Sequence, residues 1–227
     1  MASSSLTATN IVDFEDLGLL PDELVSYDGV LESGLTSFSE RFAGQTVVEV
    51  GGLDTLIGTP TDELSLSNGV AGENLTTGNL GGNSGLSGES SVMSLGEGSV
   101  AVLFDFDQSQ IAFDVLGSDV DSEGIGGNVI ASFWARDGSL LNQFTLALDG
   151  SAVLSFGFIN DDGAFNIASL SLVNDDISGV GYDNFIYDVV GIEGTPGQNS
   201  QVPIPSALLL FVSALSGLYF SKRRRIK

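Results

Sequence analysis

Short runs in which every second residue is apolar recur along this chain and constrain its fold more than any other feature. In VAVLFDF, Val100, Val102, Phe104 and Phe106 share one face, and in QIAFDVL, Ile111, Phe113 and Val115 do the same. A strand returns a side chain to the same face every two residues, so the pattern is that of half-buried β-strands. Further runs are NVIASFWA, SLLNQFTLA, SAVLSFGFI, FNIASLSLV and VGYDNFIYDVV, with earlier ones at IVDFED, ELVSYDGVL, TSFSERF and TVVEV. Asp137-Gly138, Asp149-Gly150 and Asp162-Gly163 each separate two such runs. Asp-Gly supplies the positive φ of a tight hairpin, which predicts consecutive antiparallel strands from about 128 to 173. Residues 68–98 hold 9 glycines and little apolar pattern, so a long surface loop is expected there. No helical period precedes Pro205. The expected fold is all-β, a jelly-roll-like two-sheet β-sandwich.

Charge narrows the function. The chain has 30 acidic and 7 basic residues, and five of the seven, Lys222, Arg223, Arg224, Arg225 and Lys227, lie in its last six positions. The preceding body therefore sets 30 acids against Arg41 and Arg136, a formal charge of −28. Such a surface repels phosphate backbones, which excludes nucleic acid as a partner. With no Cys and no His, thiolate chemistry, Ser-His dyads, disulfides and the usual zinc ligands are also excluded. The oxygen ligands that remain favour calcium among metals; the competing reading is a solvated acidic coat that keeps the protein soluble.

The last 26 residues are VPIPSALLLFVSALSGLYFSKRRRIK. From Pro205 to Phe220 there is no charge, and a helix of that length spans ~24 Å, close to the hydrocarbon thickness of a bilayer. The prolines suit a first helical turn, and the basic run that follows is held on the cytoplasmic side by the positive-inside rule. A single transmembrane helix over about 205–220 is expected, with a basic stop-transfer segment at 222–227. A core helix with a basic end is the alternative. Upstream, GIEGTPGQNSQ (191–201) reads as a flexible linker. Residues 1–190 then form the β-sandwich ectodomain.

The order Val202-Pro203-Ile204-Pro205, apolar span, Lys222-Arg223-Arg224-Arg225 resembles a PEP-CTERM sorting signal of the VPLPA type. Ile204 stands where that variant usually has Leu, and Ser206 where it has Ala. The resemblance implies recognition by a membrane enzyme, exosortase, with cutting near the proline motif. The inner membrane would hold the protein transiently before release to the cell surface or extracellular polysaccharide of a Gram-negative bacterium. An exported domain needs a signal peptide, and MASSSLTATNIVDFEDL has neither a basic nor an apolar region to serve as one. The chain is thus expected to begin after the true start; a tail-anchored cytosolic protein is the alternative. The body also resembles PEP-CTERM ectodomains and lectin-like jelly rolls, with Phe14-Glu15-Asp16 opening the first strand and Gly181–Phe185 forming the last.

Candidate sites follow. If the first and last strands pair, Glu15 or Asp16 meets Asp183 or Asn184, and the resemblance implies a structural calcium site there; the alternative is an ion-free Asp-Asn turn. Asp119, Asp121 and Glu123 alternate before Gly124 like half of an EF-hand loop, but position twelve is Ile130, so a plain acidic turn competes. Trp134 beside Arg136 offers an aromatic face and a planar donor to a sugar, against ordinary core packing. No catalytic pair stands out among so many acids. The expected function is a non-enzymatic structural or adhesive role in exopolysaccharide or biofilm, with a calcium-dependent carbohydrate-binding module as the alternative and a glycosidase third.

Overall fold

A computed structural model of the chain describes residues 9–20, 23–27, 29–50, 53–67, 75–79, 90–93, 98–116, 127–149, 153–160, 163–175 and 179–188. Among these residues no helix is long and apolar enough to cross a membrane. The linker, the Val202–Pro205 motif, the apolar span and the basic run lie outside the described residues, as do Asp119, Asp121 and Glu123.

The strands are β1 (Thr9–Val12), β2 (Leu24–Tyr27), β3 (Leu31–Ser33), β4 (Thr36–Ser39), β5 (Gln45–Val50), β6 (Leu53–Gly58), β7 (Leu75–Asn79), β8 (Ser90–Met93), β9 (Gly98–Gln108), β10 (Gln110–Leu116), β11 (Asn128–Trp134), β12 (Leu140–Ala147), β13 (Val153–Ile159), β14 (Ile167–Asn174) and β15 (Gly181–Asp188). A seven-stranded sheet runs β13-β10-β15-β8-β7-β2, with β1 also paired to β15, and a six-stranded sheet runs β12-β11-β14-β9-β4-β3. All pairings are antiparallel. The expected all-β sandwich is what the chain forms.

The main core lies between the two sheets. Ile111, Phe113, Val115, Tyr182, Phe185 and Tyr187 come from one side, and Val100, Val102, Phe104, Val129, Phe133 and Leu170 from the other. Most are the alternate positions that the period-two runs put on one face; on β15 the alternation breaks between Tyr182 and Phe185, at left-handed Asn184. Phe106 departs from the pattern. It is exposed, because the β9–β14 ladder shifts register between Leu103 and Gln108 and carries that part of β9 off the core.

A second, smaller core sits on the outer face of the six-stranded sheet. There Ala101, Trp134 and Ala168 are covered by Phe42 and Leu64, which belong to an excursion that also carries the β5–β6 hairpin. Backbone bonds pin this cover: Ala43 N–H donates to the Ser65 carbonyl at 2.9 Å, Ser67 N–H to Arg41 at 2.9 Å, and Leu64 N–H to Arg136 at 3.2 Å. Ser99 Oγ adds a bond to the Glu40 carbonyl at 2.8 Å.

Three expectations need correction. Of the Asp-Gly joints, Asp137-Gly138 does close a hairpin, β11 to β12, with Gly138 at φ 78. The runs flanking Asp149-Gly150 and Asp162-Gly163 instead enter different sheets, because β12 and β14 belong to the six-stranded sheet and β13 to the seven-stranded one. A positive-φ turn fits an arch between layers as well as a hairpin, and local sequence does not distinguish the two. The glycine-rich region is not wholly loop: Leu75–Asn79 and Ser90–Met93 are strands of the larger sheet. Buried Thr76 and Thr77 explain the miss, since β-branched threonine favours strands without marking an apolar face. Finally, Phe14-Glu15-Asp16 follows the first strand rather than opening it. Phe14 takes a left-handed conformation, φ 56, and leads into a 3₁₀ turn at Glu15–Leu17.

Candidate functional site

The first and last strands pair, in the register Thr9↔Asp188 to Val12↔Phe185. The same side of β15 then pairs with β8 at Gly181 and Tyr182. Between these two partners lie Asp183 and Asn184, and Asn184 adopts φ 50, a left-handed conformation that Asn tolerates better than most residues. On the other side of β15 the ladder to β10 slips between Ala112 and Asp114. The irregularity brings Asn184 Nδ2 within 2.9 Å of Asp114 Oδ2, to which it donates, and sets Asp114 opposite Asp183. Asp183 is fully buried.

Of the residues expected to clip the ends together, Asp183 and Asn184 sit at the junction, while Glu15 is exposed in the 3₁₀ turn and Asp16 lies beside it in the same turn. Among the described residues no group of three or more acidic side chains is arranged to hold a metal ion. Aromatic packing joins the two ends. Phe14, Phe38 and Phe185 form a triangle of edge-on rings with centroids 5.1, 5.3 and 6.2 Å apart, all three buried. Edge-to-face contact sets the positive ring edge against the negative face, adding roughly 0.5–1.5 kcal/mol per pair to the burial of apolar area.

Next to the triangle, Tyr182 is buried, and loss of hydration pushes its phenol pKa well up while neighbouring Asn174 opposes the shift. At the other end of β15, Asp188 receives three bonds at the β9–β10 corner: from Ser109 N–H at 3.1 Å, Ser109 Oγ at 2.6 Å and Gln110 Nε2 at 2.6 Å. The final strand is thus fastened along both sides and at its exit.

Trp134 and Arg136 part company. The Trp134 ring is buried in the small core beneath Phe42 and Leu64, and its Nε1–H donates to Ser171 Oγ at 3.0 Å. The residue is 6% exposed and shares this core with Ala101 and Ala168. Arg136 turns the other way, donating to Asp107 at 2.7 and 3.1 Å and to the Phe104 carbonyl at 2.9 Å. Nearby, Asp137 accepts from Ser139, which holds its carboxyl below the ordinary carboxylate range.

No protein-family model matches this chain, and no curated protein matches it. Several solved structures align with the chain at low similarity. A family 29 carbohydrate-binding module from Piromyces equi aligns over 81% of this chain and 91% of its own, at 10% identity and a TM-score of 0.35. The CBM22-1–GH10 modules of xylanase 10B from Clostridium thermocellum, complexed with xylohexaose, align over 80% of this chain and 28% of theirs, at 14% identity and 0.33. A structure of carbohydrate-binding modules of the β-sandwich superfamily aligns over 78% of this chain and 58% of its own, at 14% identity and 0.27. Values this low speak to neither ligand nor activity.

One surface went unnoticed in the sequence. Among the described residues, β12 and β13 are the edges of the two sheets on the same side of the sandwich, and both are open to solvent. There Phe144 of β12 meets Phe158 of β13 at 5.1 Å across the gap between the layers, and Phe158 meets Phe133 at 4.6 Å. Leu140, Leu141, Phe144, Val153 and Ile159 are all exposed along this side. The alternation of these runs marks them as strands, but sheet order decides that they are edges.

Proposed function

We propose that this chain is a non-catalytic, polysaccharide-associated protein of the bacterial surface or matrix, a β-sandwich delivered by its carboxyl-terminal sequence. The observation that carries the reading is the order of parts: the sandwich closes at Asp188 by pairing β15 with β1, and the polar linker, the Val202–Pro205 motif, the apolar span and the basic run follow. A domain complete before its tail begins keeps its fold when an exosortase-like enzyme cuts near Pro205. The strand register sets Asp114 opposite Asp183. Asp183 is out of solvent, and Asn184 donates to Asp114 Oδ2. The test is expression in a host with and without its exosortase. Cleaved protein in the matrix fraction of the first host only is expected, and an intact tail in both rejects sorting.

A calcium-dependent carbohydrate-binding module is the second reading, favoured by the bond of Asn184 to Asp114 beside buried Asp183 in the β10–β15 register. Calcium takes six to eight oxygens, so backbone carbonyls and water would supply the balance. A glycan array run with and without calcium separates the two. The module reading predicts a defined glycan whose signal disappears on chelation, and the structural reading predicts no specific hit.

A further inference from the structure

The charge along the open side of the sandwich is out of keeping with the rest of the molecule. The body carries 30 acids and two arginines, yet β12 (LLNQFTLA) and β13 (VLSFGFI) contain no charged residue and no proline. Sheet edges are ordinarily guarded by charges, prolines or bulges, because their unpaired N–H and C=O groups recruit other strands. The opposite side obeys that rule: β3 carries exposed Glu32, and exposed Glu23 directly precedes β2. Along β12, seven of eight residues are exposed and the eighth is half-buried, with Leu140 at 50% and Phe144 at 40%.

We infer that β12 is a docking edge for a second copy of this chain, through antiparallel β12–β12 pairing about a two-fold axis. Three features select this occupant. Of the exposed apolar residues here, Leu140, Leu141, Val153 and Ile159 are aliphatic, which suits another protein strand, and the aromatic one, Phe144, packs on Phe133 and Phe158. An axis through Gln143 or Phe144 sets same-face residues of the strand opposite one another, with no carboxylate on the seam in either register. The charge-free edge is also the side on which two bodies of the same strong negative charge meet with least local repulsion. Eight paired residues form about eight backbone bonds, extending a six-stranded sheet into a continuous one of twice the width.

Because the bodies repel and the seam is neutral, association tightens as salt rises, opposite to the behaviour of an ionic interface. The test is sedimentation equilibrium of the full chain in detergent, at low and high sodium chloride. Wild type is expected to dimerise at least roughly threefold more tightly at high salt, and Thr145→Glu to be monomeric throughout. Fluorescence of the single buried tryptophan reports whether the variant is folded. If Thr145→Glu does not fold, single-cysteine variants of this cysteine-free chain decide: Gln143→Cys must cross-link between copies at least tenfold faster than Glu32→Cys on the guarded edge. A monomeric wild type at every salt concentration overturns the proposal. So does a folded Thr145→Glu as dimeric as wild type, equal cross-linking at both edges, or a monomer that binds soluble neutral polysaccharide through this edge.

Discussion

Phe14 offers the sharpest test of how the two ends of the sandwich are joined. Replacing it with Ala removes a fully buried ring and two edge-on contacts, to Phe38 at 5.1 Å and Phe185 at 6.2 Å. Truncating a buried Phe to Ala costs about 3–5 kcal/mol, and the figure already includes the lost aromatic contacts and the residual cavity. Phe14 also sits at φ 56, where any side chain is strained and Ala inherits the strain. Phe14→Gly should therefore recover roughly 1 kcal/mol of the loss, an unusual ranking in which glycine is better tolerated than alanine. For a domain of this size, about 4 kcal/mol corresponds to a drop in Tm of about 8–16 °C. The assay is urea and thermal unfolding of the full chain in detergent, followed by Trp134 fluorescence, with and without a calcium chelator. A Phe14→Ala loss under about 1.5 kcal/mol would refute aromatic closure. So would a chelator effect on wild type as large as the mutation, since the ends would then be held by an ion.

Gly138 lies against the cover of the small core: a Cβ there would come within 2.7 Å of the Thr61 carbonyl and 3.2 Å of Pro60, at φ 78. Gly138→Ala should destabilise by about 1–3 kcal/mol and red-shift Trp134 emission as the cover lifts; unchanged emission and stability contradict the packing. For Tyr182, burial raises the folded pKa above the unfolded value of 10.0, so the folded state retains a proton that the unfolded state releases. The stability from this group is present below pH 10 and falls as pH rises beyond it. Tyr182→Phe should flatten the alkaline limb of a stability–pH profile, and an identical limb in the variant removes Tyr182 as its source.

The period-two runs made the strands and most of the core legible, because burial of alternate residues is a local pattern. Val100, Val102, Ile111, Phe113 and Val115 all lie where the alternation puts them. Of the consecutive strands joined by Asp-Gly, only β11 and β12 are neighbours, and their turn is short. The arches after β12 and β13, and the partner change on β15 at Asp183 and Asn184, follow from long-range pairing. Asp114 gave no signal in sequence: its meeting with Asn184, 70 residues away along the chain, depends on the register slip between Ala112 and Asp114. Trp134 shows the opposite limit. Its position in an alternating strand implies burial, but its cover comes from Phe42 and Leu64, on an excursion that the strand pattern does not connect to it.

The proposed delivery by the carboxyl-terminal sequence is tested most directly by neutralising the basic run. In the native host, Lys222, Arg223, Arg224 and Arg225 would be replaced together by Gln, and the body followed by fractionation and by the mass of its carboxyl-terminal peptide. The account predicts that wild type reaches the surface or matrix in a form shortened near Pro205, while the neutralised protein is no longer shortened or retained. Full-length wild-type protein recovered from the cytosol, distributed identically to the variant, would contradict it.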